Sequence, residues 1–94
     1  MPAYIIMIRD RMNDADEFAT YHKLAPAARV EGQKLLAFYG RHEVIEGEPA
    51  DGAAILEFPD MATARAWYDS PAYQTALPHR LKGADFRVIL VEGR

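Results

Sequence analysis

The stretch Ala53–Trp67, AAILEFPDMATARAW, changes character in its middle. Its first six residues, Ala53–Phe58, are short, apolar and stopped by a proline, which predicts a strand. Pro59 and Asp60 mark a switch: Asp60 can cap a helix beginning at about Met61, and Met61, Ala64, Trp67 and Tyr68 share one face of it. A strand that runs directly into an amphipathic helix is the first part of a strand–helix–strand unit. The fold then depends on whether the flanking sequence completes that unit and supplies another.

It does both. On the C-terminal side the chain restarts after Ser70 as PAYQTALPHRL, with Tyr73, Leu77 and Leu81 at helical spacing and Pro78 expected to interrupt them, and FRVILVEG closes it as a strand. On the N-terminal side Ala3–Ile8, AYIIMI, is a strand stopped by charge. Asn13 or Asp14 caps the following helix, with Glu17 in the capping-box position and Phe18, Tyr21, Leu24 or Ala25, and Ala28 on its apolar stripe. Pro26 lacks an amide hydrogen, so that helix should kink or restart there before ending near Gly32. KLLAFYGRHEVIEG reads as a strand from about Lys34, with Gly40 as the place for a bulge, and EGEPADG is a turn. The order is βαββαβ. Two right-handed units joined by a hairpin give an α+β, ferredoxin-like fold: a four-stranded antiparallel sheet with two helices on one face, spanning residues 1–94 as a single domain.

Composition narrows the function classes. The chain has no cysteine, which removes disulfides, thiolate nucleophiles and cysteine-ligated metals. Arg9, Asp10 and Arg11 cut the first apolar run short, so neither a signal core nor a membrane span is expected, and the cytoplasm is the expected location. A net charge of -3 with both signs mixed along the chain offers no basic stripe, so no nucleic-acid partner is expected.

Read for their two faces, the strands are apolar twice. One set, Ile6, Ile8, Leu36, Phe38, Leu56, Phe58, Phe86, Val88 and Leu90, is expected to seat the helices. The other still carries Ile5, Met7, Leu35, Ala37, Tyr39, Ile55, Ile89 and Val91, relieved only by Arg9, Glu57 and Arg87. A sheet face of that kind needs cover, and a second copy stacked on it about a two-fold axis supplies it. A homodimer through the helix-free face is therefore expected, the alternative being a monomer that covers the face with its own tails.

AYIIMIRDRMNDADEFATYHKLAPAA, ILEFPDMATARAWYDSPAYQTALPHR and the closing VILVEG resemble the small bacterial family labelled domain of unknown function 1330 (DUF1330), over almost the whole chain. The resemblance implies a dimeric α/β-barrel in which two ferredoxin-like subunits join their sheets. It implies no activity, because the wider superfamily includes cofactor-independent monooxygenases, haem-degrading enzymes, lactone isomerases and proteins with no known reaction. The chain departs from the common pattern at VEGQKLLAFYG, where Gln33 stands in place of the Gly-Gly-Arg type sequence.

Candidate chemistry concentrates on the helices. Ser70 before Pro71 reads as a corner that ends one helix and caps the next, against the alternative of a nucleophile. Trp67, Tyr68 and Tyr73 are core aromatics that can also line a ligand pocket, where Tyr21 would meet Tyr68 or Tyr73 over the sheet. Arg65 and Arg80 can hold a carboxylate as a pair, or pair with Asp69 or Glu57. His22, beside Tyr21 and before the proline break, is the candidate general base, oriented by a carbonyl freed at Pro26. His22, His42 and His79 share no ligand spacing, and no phosphate loop or nucleotide fingerprint occurs, so no metal and no nucleotide are expected; no cofactor is assigned, with haem left open because one histidine could be an axial ligand as in some superfamily relatives. Two readings remain: a small-molecule enzyme or binding protein with catalytic Tyr21 and His22, and a non-catalytic dimeric module.

Overall fold

The computed structural model describes residues 1–94. The elements are β1 (Ala3–Met12), α1 (Ala15–Leu24), a 3-10 turn (Ala25–Ala28), β2 (Lys34–Phe38), β3 (Gly52–Phe58), α2 (Met61–Asp69), α3 (Pro71–Gly83) and β4 (Ala84–Glu92). The strands form one antiparallel sheet in the order β2-β3-β1-β4. The α+β, ferredoxin-like order expected from the sequence is the order observed, with three helices in place of two.

Local chemistry explains where the helices start. The Asp14 carboxylate accepts from the Asp16 and Glu17 amides at 3.0 and 3.2 Å, and Asp60 accepts from the Thr63 amide at 2.7 Å. The Glu17 side chain does not close a capping box; it turns to His79 on α3. Ser70 donates to the Trp67 carbonyl at 2.8 Å and accepts from the Tyr73 amide at 3.2 Å, so the Ser-Pro step is the α2–α3 corner. Pro26 ends α1 and the chain continues as the 3-10 turn, which stops at Ala28, short of the expected Gly32. Pro78 does not interrupt α3. It sits on an exposed side of the helix, where water can take the carbonyl that loses its amide partner.

Three expectations about faces are corrected. Pairing of Ala3 with Phe58, Ile5 with Leu56 and Met7 with Ala54 turns Ala3, Ile5 and Met7 toward the helices and leaves Ile6 and Ile8 on the opposite side, the reverse of the expected phase. In β2, Leu35 pairs with Leu56 and so also faces the helices, while the bulge falls at Leu36, not Gly40. On α3 the buried residues are Tyr73, Ala76, Arg80 and Gly83, and Leu81 is exposed. β1 also runs past Ile8 to Met12. Its charged residues stay in the sheet because each has a partner: Arg9 with Asp51, Asp10 with Arg87 and Arg11 with Asp85.

The core lies between helices and sheet, centred on Phe18, Tyr21, Phe58, Trp67 and Tyr73. The opposite sheet face carries Tyr4, Ile6, Ile8, Ile55, Ile89 and Val91 with no helix over it, and Ile89 is 51% exposed. No helix is long and apolar enough to cross a membrane.

Candidate functional site

Because α1 stops at Leu24 and the 3-10 turn leads the chain away, the edge strand β2 is left exposed along its length. The space between the end of α1 and the β2–β3 edge is a cavity of about 510 Å³. Leu35, Phe38, Leu56, Met7, Pro26 and Trp67 make its apolar wall, and Tyr21, His22, Tyr39, Arg29 and Gln33 bring the polar groups.

His22 is held edge-on by rings. Phe18, Tyr21, Phe38 and Tyr39 stand nearly perpendicular to it, with centroids 4.5 to 5.8 Å away. The Pro26 carbonyl expected to orient it accepts instead from the Arg29 amide at 3.1 Å. Burial, with the positive charge of Arg9 as the second cause, lowers the His22 pKa below its ordinary 6.5, so the imidazole is neutral at pH 7. The Arg9 guanidinium lies over the rings of Tyr39 and Phe18, 4.7 and 5.1 Å from their centroids, and is ion-paired with Asp51. Tyr39 has φ +53°, a left-handed conformation that is unfavourable for a bulky residue, and its amide donates to the Ala53 carbonyl at 2.8 Å. Burial, opposed by Arg9, pushes the Tyr39 phenol up to about 12.

Behind the wall, the Tyr21 and Tyr73 hydroxyls share a hydrogen bond of 2.8 Å. Burial raises both phenols, which therefore stay protonated at neutral pH, while Arg80 acts in the opposite direction on each. Trp67 packs on Tyr73 at 4.2 Å between centroids, and its Nε1–H has no partner. Arg80 is only 3% exposed; its guanidinium lies 4.9 Å from the Phe86 ring centroid, its Nε has no partner, and it forms no ion pair. Burying a charge without a counter-ion costs on the order of several kcal/mol. The ring face and the carbonyl end of α3 offset part of that cost.

Of the residues singled out from the sequence, Tyr21, His22 and Trp67 line this cavity, and Tyr73 and Arg80 stand behind Tyr21. Arg65 and Tyr68 lie elsewhere. Arg65 pairs with Asp69 at 3.0 Å, lies over the Tyr68 ring, and with Tyr68 borders a second cavity of about 340 Å³. Arg65 and Arg80 are thus not brought together as a carboxylate clamp. His79 Nδ1 bonds Glu17 at 2.7 Å, and His42 bonds the Ala50 carbonyl in the β2–β3 loop. Sequence reasoning missed Arg9, Tyr39, Arg29 and Gln33. Arg9 carried a signal: it falls in the same alternation as Ile5 and Met7, which marks a charge facing the core once the phase of β1 is known.

A family model described as Domain of unknown function (DUF1330) matches residues 2–94. Among solved structures the chain is similar to RPA0582, a protein of unknown function from Rhodopseudomonas palustris, at 23% identity and TM-score 0.72, covering 99% of this chain and 82% of that one. It is also similar to a dimeric ferredoxin-like protein of unknown function from Thermobifida fusca, at 19% identity and TM-score 0.69, covering 99% and 92%. A mutant form of SnoaB, a cofactor-independent oxygenase from Streptomyces nogalater, aligns at 14% identity and TM-score 0.61, again over 99% and 92%. At these identities the likeness is one of fold. A comparison with curated proteins finds no match.

Proposed function

We propose that this chain, which belongs to the DUF1330 family, binds a small, largely apolar metabolite in the cavity beside β2 and moves a proton on it, with His22 as the base. The observation that carries this reading is a neutral imidazole, next to a protonated Tyr21, in the wall of a cavity of about 510 Å³. Ligand sites commonly span roughly 300 to 1,000 Å³, with mainly apolar walls and a few polar groups that fix orientation. A neutral imidazole can accept a proton at once, and a protonated phenol beside it can donate a hydrogen bond to the anion left behind.

Proton removal is common to two outcomes. In an isomerisation the proton returns to a different atom of the same molecule. In a cofactor-independent oxidation the carbanionic centre forms a bond to dioxygen and, once a proton is returned, gives a hydroperoxide. The SnoaB likeness supports only the point that a frame of this shape can house such chemistry.

In the same reading residues 1–94 form one domain that pairs as a homodimer through the helix-free sheet face. Ile6, Ile8, Ile55, Ile89 and Val91 on that face support it, and the Thermobifida fusca neighbour is described as dimeric.

A metabolite panel screened by thermal shift tests the cavity. A ligand at a hundred times its Kd adds about 2.7 kcal/mol of stability, which for a domain of this size raises Tm by on the order of 10 °C. Hits should lose their shift when Ala54→Leu fills the cavity, and any turnover should be lost in His22→Asn. A silent panel, or hits indifferent to both substitutions, would favour a dimeric module without a reaction.

A further inference from the structure

Resting on the reading of the cavity as a ligand site, we infer that Arg80, acting through the Tyr73–Tyr21 hydroxyl pair, makes that site selective for an oxyanion: its ligands are weak O–H acids, such as phenols and enolised carbonyl compounds, held as their conjugate bases.

The charges of the chain are out of balance at one buried point. Lys23, Arg29, Arg41, Lys82 and Arg94 also lack a carboxylate partner, but all five are exposed and water solvates them. Arg80 alone combines a buried guanidinium with no counter-ion and an unpartnered Nε. Glu17, the carboxylate that α1 brings to α3, is taken by His79. Of the other nearby cations, Arg9, which lies over the ring of the lining Tyr39, is neutralised by Asp51, and Arg29 is exposed at the rim, donating to the Gln33 carbonyl. The tyrosines and the neutral His22 add no anion. The protein therefore holds one buried positive charge that nothing in the chain balances, beside a pair of hydroxyls whose outer member, Tyr21, lines the cavity.

The pair has a polarity that suits an anion. Either hydroxyl of the pair can donate, and Arg80 acting on Tyr73 favours the sense in which Tyr73 donates its hydrogen to Tyr21 and the Tyr21 hydrogen is free to point at a ligand oxygen. When the ligand O–H breaks, its proton passes by way of the His22 imidazole, whose lowered pKa hands it on to solvent, its electron pair stays on the ligand oxygen, and that oxygen accepts from Tyr21. The charge then sits where the buried guanidinium favours it, against a largely apolar wall. Arg80 touches no ligand and is a positioning and electrostatic residue.

4-Nitrophenol is a suitable probe, because its phenol and phenolate differ in colour, and 4-nitroanisole is its neutral counterpart. On the whole protein, the bound nitrophenol should ionise at a pH at least one unit below the free compound, a preference of about tenfold for the phenolate. Arg80→Gln should abolish that displacement without weakening 4-nitroanisole, and Arg80→Lys should restore part of it. Tyr21→Phe, which leaves the cation in place, should also abolish it, so the test survives if Arg80→Gln does not fold. Bound nitrophenol that ionises at its free value, or a displacement that persists in Tyr21→Phe and Arg80→Gln, overturns the oxyanion inference while leaving the cavity as a binding site. Failure of both compounds to bind removes this inference and counts against the cavity reading as well.

Discussion

The hydroxyl pair between α1 and α3 can be examined without any ligand, by a double-mutant cycle on Tyr21 and Tyr73. Both side chains are essentially buried, at 4% and 0% exposure, and their oxygens are 2.8 Å apart. Tyr21→Phe removes one hydroxyl and leaves the other buried with its partner gone, a loss of about 1 to 3 kcal/mol. Tyr73→Phe should cost at least as much, since it also takes away the oxygen beside Arg80. With both hydroxyls removed no oxygen is orphaned, so the double variant should be less destabilised than the two singles together by about 1 kcal/mol or more. Urea unfolding at one fixed protein concentration reads this directly, and with a slope of about 1 kcal/mol/M each single variant should lower the midpoint by roughly 1 M or more. Additivity within about 0.5 kcal/mol would mean that the two hydroxyls do not depend on each other, and the relay drawn through them would be wrong.

Other parts of the structure give independent expectations. A Cβ on Gly83 would lie 2.7 Å from the Phe18 amide nitrogen and 2.9 Å from its Cα, so Gly83→Ala must push α3 off α1 and should cost about 1 to 3 kcal/mol, whereas Gly40→Ala, which meets nothing within 4 Å, should be nearly silent in the same unfolding assay. Ile6→Asp and Ile89→Lys on the helix-free face should convert a sedimenting dimer to monomer while Ile5→Val, in the core, should leave assembly intact; a dimer that survives both charges would place the interface elsewhere. Since the His22 pKa is lowered on folding, the unfolded chain binds the extra proton first as pH falls below 6.5, so stability declines there. His22→Asn should flatten that part of a stability-versus-pH curve, and an unchanged slope would contradict the environment assigned to the ring.

What the sequence by itself determined was the order of the elements and the helix starts whose capping bonds run to near neighbours. Asp14, Asp60 and Ser70 cap helices because the amides they bond lie two or three residues away, and the order of elements follows from short apolar runs alternating with amphipathic ones. The phase of β1 was not of this kind. AYIIMI is apolar in both alternations, so period two cannot say which set faces the helices, and only the pairing of Ile5 with Leu56 decides it. The bulge at Leu36 has the same origin, a register between strands and not a residue preference. The site is tertiary for a similar reason. Its cavity exists because α1 ends before the edge strand is covered, and it is lined from β1, α1, the 3-10 turn, β2, β3 and α2, none of which encloses space alone. From the sequence Arg80 is one half of a carboxylate clamp with Arg65, or a partner for Asp69 or Glu57. Its spacing after Tyr73 and Ala76 put it on the buried side of α3, and the packing of α1 against that side removed the water and left the charge.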